Sequence, residues 1–153
     1  MSENLERILH AKLTGVYSTQ VKSRIGYGAT SKRTSQTVYY MITELEDGRL
    51  EIQAVNQHHV PTGPARRISR ENLLKDYVPE PSVYMQKVLP ATQELDKTIK
   101  RGEKHRSRQE NFSAEFEFKN ALHIDVDSIR ATFGLGLTYL DRKELDKAKL
   151  VFR

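Results

Sequence analysis

The sequence contains no cysteine and no tryptophan. The first absence excludes disulfides and cysteine-bearing zinc sites. No run of about 18 apolar residues occurs, so no membrane-spanning helix and no membrane partner is expected. The opening, MSENLERILHAKLTG, lacks the basic-then-apolar order of a secretory leader, and a cytoplasmic location is the expectation. Acid is missing between residues 11 and 40, where Lys12, Lys22, Arg24, Lys32 and Arg33 stand without a counter-charge. Elsewhere both signs are mixed, as on an ordinary solvated surface. The net charge of +5 permits an acidic partner without demanding one.

Catalytic and metal-binding patterns are missing too. His58 and His59 are adjacent, and neighbours in extended chain point to opposite sides, which makes a poor metal pair. Glu115 and Glu117 do not face each other on a helix, and Asp125 and Asp127 read as a turn. No Ser–His–Asp or Cys–His arrangement can be drawn. No catalytic residue, cofactor or metal site is expected, and the chain is read as non-enzymatic.

What is present changes character along the chain. ENLERILH, 3–10, reads as a short helix. GVYSTQVKS and SQTVYYMITELE have strand-like density of β-branched and aromatic residues; in the second, Thr37, Tyr39, Met41 and Thr43 alternate with Val38, Tyr40 and Ile42. RLEIQAVN alternates again, with Leu50, Ile52 and Ala54 on one side, after the hairpin signal Asp47-Gly48. RIGYGATSKRTS reads as a loop, and VPTGPARRIS as a turn with a short closing strand at 66–69. From Ser69, a candidate N-cap, the pattern turns helical: Leu73, Leu74 and Tyr77, then Val83, Met85 and Val88, with Pro90 expected to break or kink the second helix. The expected fold class is α+β: a small N-terminal antiparallel β-sheet or SH3-like half-barrel, followed by helices. The expected divisions are a β-rich module over 1–70, a helical linker over 71–94 and a repeat region over 95–153.

The last third repeats. Gly102 and Gly136, Ala114 and Ala148, and Phe118 and Phe152 are each 34 positions apart. A 34-residue period in helical sequence is the spacing of a helix–turn–helix repeat. GLGLTYL, with Leu135, Gly136 and Tyr139, followed by Leu145, Ala148 and Phe152, resembles the tetratricopeptide repeat family. The preceding stretch keeps Gly102, Ala114, Phe118 and Ala121 and closes ALHIDVDS. It departs from the pattern at Arg101, His105, Phe112 and Val126. The small residues would let helices approach closely, with Phe118, Tyr139 and Phe152 filling the space beside them.

The resemblance implies stacked helical hairpins whose first helices line a groove for a peptide or partner helix. Carried over, the groove-facing places hold Ile99, Lys100, Glu103 and Arg106, then Phe133, Gly134, Leu137 and Leu140. The groove asparagines that would clamp a carboxylate are missing. The implied function is a protein-binding scaffold or adaptor. The alternative is nucleic-acid or anionic-partner binding through the basic loop, with Lys22, Arg24, Tyr27, Lys32 and Arg33 as contacts and the repeats used for self-association. A homo-oligomer through the C-terminal helix is a further expectation. A full second unit from Ile129 would need about nine more residues than are present. Val151 and Phe152 are expected to pack on a neighbouring copy or back onto Tyr139.

Overall fold

The computed structural model describes residues 13–26 and 32–153. The helix expected over 3–10, and Tyr27, lie outside the described residues. The chain is α+β, a five-stranded antiparallel sheet followed by helices. Two units can be distinguished: Met1–Val55 with Pro64–Tyr84, and Asn56–Gly63 with Met85–Arg153. Among the described residues, no helix is long and apolar enough to cross a membrane.

The strands are β1 (Gly15–Ile25), β2 (Lys32–Glu44), β3 (Leu50–Val55), β4 (Pro61–Ile68) and β5 (Val78–Pro79), in the order β4-β3-β2-β1-β5. The first four form a meander, and β5 returns to the free edge of β1, with Tyr17 opposite Pro79. Alternation puts Ile42, Leu50 and Ile52 in the core of the sheet unit, with Tyr17 and Leu73. Tyr40 packs at its margin, its ring edge-on to Tyr77 with centroids 5.8 Å apart. The Asp47-Gly48 turn forms as the sequence implies. Gly48 takes φ 84°, and the Asp47 carboxylate accepts from Arg49 N–H at 3.1 Å.

Three expectations are corrected. Pro61, Gly63 and Pro64 do not make a turn; they lie in β4. That strand is at the sheet edge, where a missing N–H costs no ladder bond. The turn falls earlier, where the Asn56 carboxamide oxygen accepts from His58 N–H (2.8 Å) and Val60 N–H (3.1 Å), and His59 adopts φ 65°. Second, the stretch 71–94 is not simply a helical linker. It holds the end of α1 (Arg70–Asp76), capped by Ser69, then β5, which is part of the sheet, and α2 (Pro81–Val83). Third, Pro90 does not end a helix. The helical run continues from Pro81 through a π-helical turn, Tyr84–Val88, into α3 (Leu89–Ser107), so the expected irregularity falls on the π turn just before Pro90.

The second unit continues with α4 (Asn111–Ile124), α5 (Ile129–Asp141) and α6 (Leu145–Val151). Its core is Leu95, Ile99, Ala114, Phe118, Ala121, Ala131, Leu135, Tyr139 and Ala148, with Val60 from the β3–β4 turn among them. Asn56 donates to Ile124 O at 2.8 Å, and Thr62 donates to the Asp125 carboxylate at 2.5 Å. The 56–63 turn thus satisfies groups left open at the C-terminal end of α4.

Candidate interaction surface of the repeated helices

The 34-residue period is built into the backbone as well as the sequence. α3 ends at Ser107 and α5 at Asp141; α4 begins at Asn111 and α6 at Leu145. Both first helices stop in the same way. Glu110 N–H donates to His105 O at 2.9 Å and Gln109 N–H to Arg106 O at 3.0 Å; 34 positions on, Glu144 N–H donates to Tyr139 O at 2.9 Å and Lys143 N–H to Leu140 O at 3.0 Å. Each is a Schellman closure, and its left-handed residue is Gln109 (φ 62°) or Lys143 (φ 60°).

The packing repeats too. A Cβ added to Gly102 would come within 2.8 Å of the Phe118 ring, and one on Gly134 within 2.5 Å of the same ring. Phe118 is therefore clasped between α3 and α5, and it is fully buried. One period later, the Phe152 ring lies against Gly136 so closely that no Cβ would fit. Phe152 also meets Phe133, with ring centroids 6.1 Å apart. It packs back onto its own hairpin, on Gly136 and Phe133, and Val151 packs against the core cluster that holds Tyr139.

The residues proposed for packing are otherwise inside: Gly102, Ala114, Phe118, Ala121, Leu135, Gly136, Tyr139 and Ala148 are all buried. Among the groove positions, Ile99 is corrected. It is 4% exposed and belongs to the core, as is the buried Gly134. Lys100, Glu103, Phe133 and Leu140 are exposed, and Arg106 and Leu137 are half-buried.

Ion pairs tie α3 to α5. The Arg130 guanidinium reaches Asp96 at 2.9 Å and Glu103 at 2.6 Å, and Arg106 reaches Asp141 at 2.9 Å. Hydrogen bonds from Lys100 and Arg130 hold the Asp96 carboxyl below its usual range. Behind α5, Arg142 bonds Glu115 at 3.1 Å and stacks over Phe112, 4.1 Å from the ring centre. Burial would raise Glu115, but hydrogen bonds from Tyr139 and Arg142, with the charges of Lys119 and Arg142, hold it below the carboxylate range. Burial first, then the bond to Glu115, pushes the Tyr139 phenol up to about 12.

Sequence reasoning missed the apolar cleft at the far side of α5 and α6. Val126, Ile129, Phe133, Val151 and Phe152 line an open hollow of about 270 Å³. Ile129 is 85% and Phe133 57% exposed. The signal was available, since Ile129 is one period from the core residue Leu95.

The basic candidates belong to the sheet unit. Lys22 and Arg33 are exposed on β1 and β2, and the register sets Arg24 opposite Arg33 and Ile25 opposite Lys32. His58 and His123 have ring centroids 5.6 Å apart beside a hollow also lined by Asn56, Thr62 and Asp127. No group of three or more metal-ligating side chains occurs among the described residues. The chain matches no family model, no curated protein and no solved structure.

Proposed function

We propose that this chain is a non-enzymatic cytoplasmic adaptor, built on tetratricopeptide-like hairpins, that binds a peptide or helix of another protein. The observation carrying this reading is the exposed apolar surface of α5. Phe133 and Leu140 are 57% and 42% exposed on a helix whose other side, Ala131, Leu135 and Tyr139, is core. A helix apolar on both sides calls for cover on both. The ion pairs of Arg130 with Asp96 and Glu103, and of Arg106 with Asp141, join α3 to α5. The Leu137→Glu/Leu140→Glu double variant tests the reading. It should keep its helical circular dichroism and melting temperature while losing a partner captured by the parent protein. Early melting with loss of solubility would make the face core and end the proposal.

One observation favours a second reading, binding of a polyanion. The β1–β2 register brings Arg24 and Arg33 together at the end of a segment without acids. In that case binding to single-stranded nucleic acid should weaken steeply with salt and persist in the Leu137/Leu140 variant. No binding at low salt would exclude it.

A further inference from the structure

The strand pairing leaves one part of the sheet as a ribbon. β1 and β2 stay paired from Gly15 opposite Ile42 to Ile25 opposite Lys32. Their outer neighbours stop early: β5 reaches only Tyr17 and Ser18, and β3 reaches only residues 40–44 of β2. Thr19 still donates to Asp76 O at 2.9 Å, at the base. Beyond it β1 and β2 continue as a two-stranded ribbon over 20–25 and 32–37. That stretch is about 20 Å long.

One face of the ribbon has a uniform chemistry. Gln20 stands opposite Thr37, Lys22 opposite Ser35 and Arg24 opposite Arg33. Gln20, Lys22, Arg33, Ser35 and Thr37 are exposed, and the Gln20 carboxamide donates to Thr37 Oγ1 at 2.8 Å. Each of these five side chains is a hydrogen-bond donor, and none is acidic or apolar. Alternation sets them on the face opposite to Tyr17, Tyr40 and Ile42, which turn to the core. What marks the face is charge of one sign beside paired donors, not apolar surface awaiting cover. The chain has little to neutralise it with. Residues 11–40 hold no acid, and segments 1–12 and 27–31 together carry two acids and two bases, so they supply no net counter-charge.

A narrow ribbon with donors on one face matches one polyanion in particular. The major groove of B-form DNA, about 12 Å wide, admits a two-stranded β-ribbon. Its floor presents base acceptors such as guanine O6 and N7, and phosphates flank it. Lys and Arg suit both, and Gln, Ser and Thr suit the floor. A-form RNA holds the same edges in a groove too deep and narrow for side chains, and a single strand has no groove.

We infer that the 20–25/32–37 ribbon is a duplex-DNA reader that enters the major groove, with Lys22 and Arg33 among its contacts. The inference rests on the polyanion reading and names its ligand; it makes no use of the α5 surface.

The test is fluorescence anisotropy of the full chain at low salt. The probes are a mixed-sequence DNA duplex of two helical turns, the RNA duplex of the same sequence and its single DNA strand. The DNA duplex should bind at least tenfold more tightly than the other two. Its affinity should fall with salt at a log–log slope of about −3 to −4, as for the four cations Lys22, Arg24, Lys32 and Arg33. Lys22→Gln and Arg33→Gln should each flatten that slope by about one. Arg33→Glu should weaken binding at least tenfold, whereas Lys149→Glu, the same charge change on the helical unit, should alter it less than twofold. Methyl green, a major-groove ligand, should displace the chain, and distamycin, a minor-groove ligand, should not. Salt-steep binding that is as tight on duplex RNA or on the single strand overturns the inference and leaves the polyanion reading standing. Displacement by distamycin alone, or an equal loss in Arg33→Glu and Lys149→Glu, also overturns it. No binding to any of the three probes at low salt overturns both.

Discussion

Gln109 and Lys143 hold left-handed backbone that side chains other than glycine or asparagine rarely adopt. Their Schellman bonds come from N–H groups that any residue but proline supplies, so the side chain adds strain and no bond. Gln109→Gly and Lys143→Gly should each raise stability by about 0.5–1 kcal/mol in urea unfolding; a lowered midpoint would show that these side chains contribute more than their strain costs. Tyr139 gives a pH signature. Its folded-state value of about 12 lies above the ordinary 10, so the native form keeps the proton longer than the unfolded chain. That stability is fully present below pH 10 and is lost as pH climbs from 10 towards 12, in total about 2 kcal/mol. Burial also raises Tyr17 and Tyr77, so absorbance titration should find several late tyrosines with Tyr139 the last among them, and Tyr139→Phe should flatten the alkaline loss. An unchanged slope in that variant would place the lability elsewhere.

At the scale of elements, α4 and α5 meet through a ring against bare backbone, the Phe118–Gly134 contact. Phe118 is enclosed on all sides, so it cannot swing clear of a new methyl group. Gly134→Ala should cost about 1–3 kcal/mol by overpacking, seen as a fall in melting temperature. A neutral result would mean that α5 can slide outwards. The helices show what a sequence can disclose. The start of α6 at Leu145 was legible because it repeats that of α4 at Asn111 after 34 positions, whereas α3 starts at Leu89, 40 positions before α5, so the period alone does not place Ile129. The α3 stop at Ser107 was not legible, because its left-handed residue is Gln109 rather than glycine. The sheet was legible where side chains alternate, as in β2 and β3. It failed at β4, where edge position makes prolines tolerable, a fact of topology that no local pattern carries. At the candidate surface, Phe133 and Leu140 could be found from a helix apolar on both sides. Ile99 could not be told from them, because its burial depends on the neighbouring hairpin.

For the whole molecule, the helical unit is not one continuous piece of chain. It takes Asn56–Gly63 from between β3 and β4, with Val60 2% exposed in the helical core. A fragment beginning at Met85 lacks that side chain and the bonds from Asn56 and Thr62. It should melt lower than the same helices in the full chain and bind a hydrophobic dye. Val60→Asp in the full chain should reproduce the loss by burying an unpaired charge, at about 3 kcal/mol or more. If the fragment and the full chain melted alike, the turn would be dispensable to the helices.

The borrowed turn also fixes an order of events during synthesis. Val60 leaves the ribosome long before Phe118 and Leu135 exist, so the hairpin it tops must wait with an apolar tip uncovered. Its rigid Asn56 turn keeps that tip short and already shaped, leaving little chain to misplace while the helices are still being made. The helical core therefore cannot be complete without a side chain made well before any of its helices, and Val60 joins the two ends of the synthesis in one hydrophobic cluster.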